Sequence, residues 1–138
     1  MTLNWIGLTA AIATFMGVWI GHVSVRKIEY ISPTVWVPIG VALFLGLLLE
    51  FGALLSEDPH LSAALGIFGI TVLWDALEFW RQHQRVWKGH APANPDNPRH
   101  ARMLQTSGMA ATVDWLNRNP IGRQLSTDEL QAIQEGAR

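Results

Sequence analysis

From Trp5 to Val25 apolar residues follow one another with no formal charge, a length close to the ~20 residues that cross ~30 Å of hydrocarbon. A second apolar run begins near Trp36 and ends near Leu55, broken only by Glu50. Its Pro38 falls in the first turn, where a missing N–H matters least. The third run follows Asp58-Pro59, an N-cap residue ahead of a proline at the first helical position. It is apolar to Leu73, and its helical pattern continues to Lys88, with Gly89 as the stop. At helical rise the stretch from Pro59 to Lys88 is ~45 Å long, so its last turns are expected to leave the hydrocarbon. Three such runs in the first 80 residues are too many to be covered by the other 58. They predict an all-α membrane protein with three transmembrane helices.

The remaining chain is patterned differently. Ala91 to Pro98 (APANPDNP) should be extended or turn-like, because residues before proline avoid the helical region. Met109, Val113 and Leu116 recur at helical spacing with Ser107 as a cap, which predicts a short amphipathic helix. Ser126-Thr-Asp-Glu129 is a capping box opening a helix from Thr127 to about Glu135, with Leu130 and Ile133 on one face. Both helices are short enough to need a packing surface. The expected organisation is a three-span bundle over residues 1–89 and a cytoplasmic tail with short helices over 90–138.

Charge sharpens this division. Charged residues make up 15% of the chain, against roughly 25% in average soluble domains. Residues 1–80 hold two bases against six acids, and residues 81–138 eight bases against five acids. Arg26 and Lys27 occupy the first loop, Glu57 and Asp58 the second, and Arg81, Arg85 and Lys88 follow the third run. The bias of bases towards the cytoplasm therefore predicts an N-terminus outside and a C-terminus inside, in the inner (plasma) membrane. Trp36, Trp74, Trp80 and Trp87 are then expected near the cytoplasmic interface. The first run has no basic segment before it and no small-x-small cleavage site after it, so it is expected to be retained. With no cysteine, disulfides, thiolate metal sites and cysteine nucleophiles are excluded.

Small residues recur at packing distance in the spans. Ala13, Gly17 and Gly21 share a stripe on the first helix, and Gly66 and Gly69 a face of the third, a pattern that lets backbones approach closely. The partner of either stripe, within the chain or outside it, is left open by the sequence.

Four polar residues within the spans are candidates for function. His22 lies 17 residues past Trp5 and Glu78 17 residues past Leu61, each ~25 Å along helices running the same way. Asp75 is one turn from Glu78 on the same face. His22, Asp75 and Glu78 could therefore meet at one depth, to relay protons or hold a divalent metal. The plainer reading is that they mark the inner boundary, with Glu78 paired to Arg81 or Arg85. Glu50, near the outer end of the second helix, serves packing or transport. His60, His83, His90 and His100 match no metal-binding spacing and read as surface histidines.

No phosphate loop, dinucleotide-binding glycine motif, GxSxG elbow or HExxH occurs, so an enzyme is not expected, nor a cofactor. Arg26, Lys27, Arg81, Arg85 and Lys88 serve topology or lipid headgroups, as do the further bases up to Arg102. Nothing demands nucleic acid. The expected partners are the bilayer and other membrane-protein subunits or a second copy of the chain. The favoured role is a non-enzymatic accessory or assembly subunit of a larger membrane complex. Its rivals are a small oligomeric ion or proton carrier using His22, Asp75, Glu78 and Glu50, and a metal- or haem-binding membrane protein using His22.

Two stretches carry a resemblance: residues 6–30 (IGLTAAIATFMGVWIGHVSVRKIEY) and residues 66–95 (GIFGITVLWDALEFWRQHQRVWKGHAPANP). They resemble the domain-of-unknown-function 4491 family of small bacterial membrane proteins. Where the family's first loop reads like HPIVIKAEY, His22, Val25, Lys27, Glu29 and Tyr30 fit, while Val23 and Ile28 depart. In the exit pattern Leu73, Trp74, Glu78, Gln82, Arg85, Val86, Lys88, Gly89, Pro92, Asn94 and Pro95 fit. His90 and Ala91 stand where the family has aromatics. The resemblance implies a membrane protein over about the first 95 residues and no chemistry, since the family has none assigned.

Overall fold

The structure, a computed structural model, describes residues 3–114 together with Asp128, Gln131 and Glu135. Four helices run in the order α1 (Trp5–Ile31), α2 (Trp36–Leu55), α3 (Pro59–Trp87) and α4 (Pro98–Thr106). No strand occurs among the described residues. α1, α2 and α3 are each long and apolar enough to cross a membrane.

Their ends follow from local chemistry. α1 starts at Asn4, whose side chain accepts the Gly7 N–H at 2.9 Å. It passes the expected end at Val25 and continues through Arg26, Lys27 and Glu29 to Ile31, since charge alone does not break a helix. Asp58 caps α3, its Oδ1 accepting from the backbone N–H of His60 at 2.7 Å and Leu61 at 3.1 Å. Pro59 occupies the first turn, where no N–H is missed. These two N–H donors hold the Asp58 carboxyl below its ordinary value. α3 stops at Gly89, whose φ of 70° is left-handed, and a Cβ there would meet the Met109 carbonyl oxygen.

Contacts define the topology. α1 runs parallel to α3: Thr9 faces His60, Gly17 faces Thr71 and Gly21 faces Asp75. α2 runs antiparallel to α3: Ser62 Oγ donates to the Ala53 carbonyl at 2.9 Å, Gly69 faces Glu50 and Gly46 faces Leu73. α3 thus packs on both neighbours, whereas α1 and α2 hardly touch. On α1 every fourth residue is buried, through Ala13, Gly17, Gly21, Val25 and Glu29. Gly17 and Gly21 thus serve the α1–α3 seam and Gly66 and Gly69 the α2–α3 seam, so both stripes find partners inside the chain. Val25, Val35, Ala42, Ala76 and Phe79 form the core where the three helices converge.

The opposite faces are bare. Phe15, Phe44 and Ile70 are each more than 60% exposed, an arrangement suited to hydrocarbon rather than water. The chain is a membrane protein.

After α3 the chain turns back through residues 88–97 without regular structure, as the prolines require. α4 was not expected from the sequence. Asn97 caps it by accepting the Arg99 N–H at 3.0 Å, with Pro98 following in the first turn. Val86, Ala93 and Met103 close a second small core under the arm. The expected amphipathic helix at 109–116 does not form over its described part. Residues 107–114 are irregular, and Ser107 ends α4 instead of opening a helix. The Ser107 Oγ does accept from the Met109 and Ala110 N–H groups, at 3.2 Å each, but it donates to the Trp87 carbonyl at 2.8 Å. Ala93 N–H bonds the Ala111 carbonyl at 2.8 Å, which ties the segment to the arm. Leu116, the capping box as a whole, Leu130 and Ile133 lie outside the described residues. Asp128, Gln131 and Glu135 are each helical.

Candidate functional site

Polar side chains concentrate where α1, α3 and the returning arm converge. His22, Asp75 and Glu78 line one cleft of about 320 Å³ on the α1–α3 seam, together with Arg26, Gln82 and Arg85. The shared depth follows from parallel helices in register, Gly21 beside Asp75. A Cβ on Gly21 would stand 2.6 Å from Asp75 Oδ2, so the carboxylate lies directly against the glycine. Glu78 is held by bases: Arg81 donates at 2.8 Å and Arg85 at 3.2 Å. Arg81 also sits over the Trp74 ring, 5.1 Å from its centroid. His22 is exposed on the cleft wall and hydrogen-bonds neither carboxylate.

Glu50 does not join this group. It lies on the α2–α3 seam, and a Cβ on Gly69 would stand 2.6 Å from its Oε1. Asp75 and Glu50 thus use one device: an acid within a span rests on a glycine of the adjacent helix, where Cα–H groups are within reach.

A buried site that sequence reasoning missed lies one step towards the arm. Glu29 is 1% exposed. Its Oε1 accepts from Arg99 Nη1 at 2.7 Å and from His100 Nε2 at 3.1 Å. His100 Nδ1 accepts the Asn94 backbone N–H at 2.9 Å, which assigns the ring proton to Nε2, facing Glu29. Arg99 Nη1 is also 2.6 Å from His83 Nδ1, which must then be an acceptor. The same arm caps the end of α1. Arg99 Nη2 donates to the Glu29 carbonyl at 2.6 Å, and Asn97 Nδ2 to the carbonyls of Tyr30 at 3.0 Å and Ser32 at 2.8 Å. Asn94 Nδ2 adds a bond to Tyr30 at 3.2 Å. Carbonyls orphaned at a helix end are here satisfied by side chains.

Two expectations are corrected by this clamp. His100 is fully buried, not a surface histidine. Arg99 is a buried ion-pair partner and faces no headgroup. Asn97-Pro98, a cap followed by a proline, was the sequence signal for α4; Glu29, beside two bases in a loop-like stretch, offered no sign of burial. Arg81 and Arg85 are likewise engaged with Glu78, while Lys88 forms the exposed C-cap of α3. Trp36 and Trp80 stack with centroids 5.8 Å apart, and Trp80 touches His83.

On the other side of α3, between α1 and α2, runs an apolar groove of about 370 Å³. Gly17, Ile20, Ser24, Val41, Ala42 and Phe68 line it, with Asp75 at its floor.

Among the described residues every buried side-chain polar atom has a partner, and no group of three His, Asp or Glu is placed to hold a metal ion. Comparison with known families finds one model, described as Domain of unknown function (DUF4491), that matches residues 4–97. Neither a curated protein nor a solved structure matches the chain.

Proposed function

The chain belongs to the family described as Domain of unknown function (DUF4491), and from that premise we propose a non-enzymatic accessory or assembly subunit of a larger membrane complex. The observation that carries this reading is the groove between α1 and α2. Two spans that pack on a common third, but hardly touch each other, leave an apolar channel along which Ile20, Val41 and Leu45 stand 44%, 51% and 45% exposed. An uncovered apolar channel between two spans offers a further membrane helix the van der Waals packing that drives association in a bilayer. The acids near the membrane support the same reading, because each serves the fold: Glu29 is clamped by Arg99 and His100, Glu78 by Arg81 and Arg85, and Glu50 rests on Gly69. In this reading the protein sits in a bacterial inner membrane with Arg26, Lys27 and the arm on the cytoplasmic side.

Purification from native membranes in mild detergent, with identification of the co-purifying proteins, tests it. A defined membrane-protein partner at fixed stoichiometry is expected, and a lone monomer would sink the proposal. Reporters fused after Leu61 and at Arg138 test the threading, a C-terminus outside being the contrary result.

A second reading, a proton or ion carrier, is favoured by one observation: His22, Asp75 and Glu78 share a cleft. Asp75→Asn in proteoliposomes separates the two. Loss of a proton or cation flux supports the carrier, and unchanged flux with retained complex removes it.

A further inference from the structure

We propose that the cleft at the Ile31 end of α1 is a binding site for the phosphate of an anionic phospholipid, held by Arg26 and Lys27. This goes beyond the assembly role and does not depend on it. The cleft has a volume of about 650 Å³ and is bordered by His22, Arg26, Lys27, Glu29, Tyr30 and Gln82. It adjoins the α1–α3 cleft, with which it shares His22, Arg26 and Gln82.

Charge accounting singles out the two bases. The acids around them are committed to other cations: Glu29 to Arg99 and His100, Glu78 to Arg81 and Arg85. Asp114 also borders the cleft and carries an interaction of its own. Asp75 lies on the neighbouring cleft, against Gly21. Among the described residues no acid is ion-paired with Arg26 or Lys27. Arg26 and Lys27, with no ion-pair partner among the described residues, thus line this cleft beside Tyr30 and Gln82, whose hydroxyl and amide are donor-bearing groups.

Depth decides that the phosphate belongs to a lipid. Arg26 stands 21 residues past Trp5, or ~32 Å at helical rise, where hydrocarbon gives way to headgroups. Val23 and Ile31, on the same rim, are 38% and 68% exposed and present apolar surface for acyl chains. A free phosphate would use the cations and leave this surface unused.

The test titrates short-chain phosphatidylglycerol or phosphatidylcholine into the full-length protein in neutral detergent and counts bound lipids by native mass spectrometry. One phosphatidylglycerol is expected to be retained in preference to phosphatidylcholine. Affinity should fall about fivefold in Lys27→Gln and at least about tenfold in the Arg26→Gln/Lys27→Gln double variant. Lys88→Gln/Arg102→Gln removes the same charge outside the cleft and should leave retention unchanged. Lys27 is exposed and has no ion-pair partner among the described residues, so its single variant keeps the test readable should the double variant be less stable. Equal binding of both lipids, or an equal loss in the Lys88/Arg102 variant, overturns the site in favour of diffuse attraction. Displacement by inorganic phosphate at concentrations matching the lipid overturns the lipid as its occupant.

Discussion

Glu29 shows what a single acid does in this molecule. A carboxylate at 1% exposure is costly to bury, and it persists because Arg99 and His100 both donate to it. Removing one partner strands the other. Glu29→Gln or Arg99→Met should each cost about 3 kcal/mol, read as a lower unfolding midpoint in detergent. The Glu29→Gln/Arg99→Met double variant should lose less than the sum of the two single losses, and strictly additive losses would contradict the pairing. Arg99→Lys should not rescue, since one ammonium cannot reach Glu29 Oε1 together with the carbonyls of Glu29 and Ser32. The pairing was not legible in the sequence, because its members are 70 residues apart and each alone reads as a surface charge.

Asp58 is the opposite case, a residue whose role is local and therefore readable. Its carboxyl is held below the ordinary value by the His60 and Leu61 N–H groups. A depressed carboxylate contributes stability above its unfolded value and loses it as pH falls towards its folded one. Asp58→Asn, which still accepts a hydrogen bond, should exchange the amides at the start of α3 faster than the wild type at neutral pH. That difference should close as pH is lowered through the carboxylate range. A difference independent of pH would contradict the charge-assisted cap.

At the scale of elements, the two seams of α3 rest on glycine. The small-residue stripes were visible as spacing, but which helix each one faces depends on the folded register. That register brings Gly46 under Leu73, where a Cβ would stand 2.6 Å from Cγ and 3.0 Å from the backbone N. Backbone cannot swing away as a side-chain tip can. Gly46→Ala should therefore cost about 1–3 kcal/mol, whereas Gly40→Ala, with nothing within 4 Å, should cost nothing. Equal unfolding midpoints for the two variants would contradict the α2–α3 register. α4 illustrates the limit of periodicity. Its buried face is Arg99, His100 and Met103, so a search for apolar spacing passes over it and favours Met109 and Val113, which remain exposed. Burial there is decided by the ion pair with α1, not by hydrophobicity.

For the whole molecule, hydrophobic run lengths made the three long helices legible. Their layout was not, because lipid-facing and protein-facing apolar residues look alike in a sequence. With α3 in the middle, the returning arm locks the Ile31 end of α1 to the end of α3 through Asn94, Asn97 and Arg99. The groove between α1 and α2 is left uncovered. The account stands on that groove receiving another protein's helix. Site-specific photo-crosslinking in native membranes, with the reactive group at Ile20 or Val41 on the groove and at Phe15 as a control outside it, tests this most directly. The account predicts one discrete protein adduct from Ile20 and Val41 and none from Phe15. Adducts to lipid alone at all three positions would contradict it.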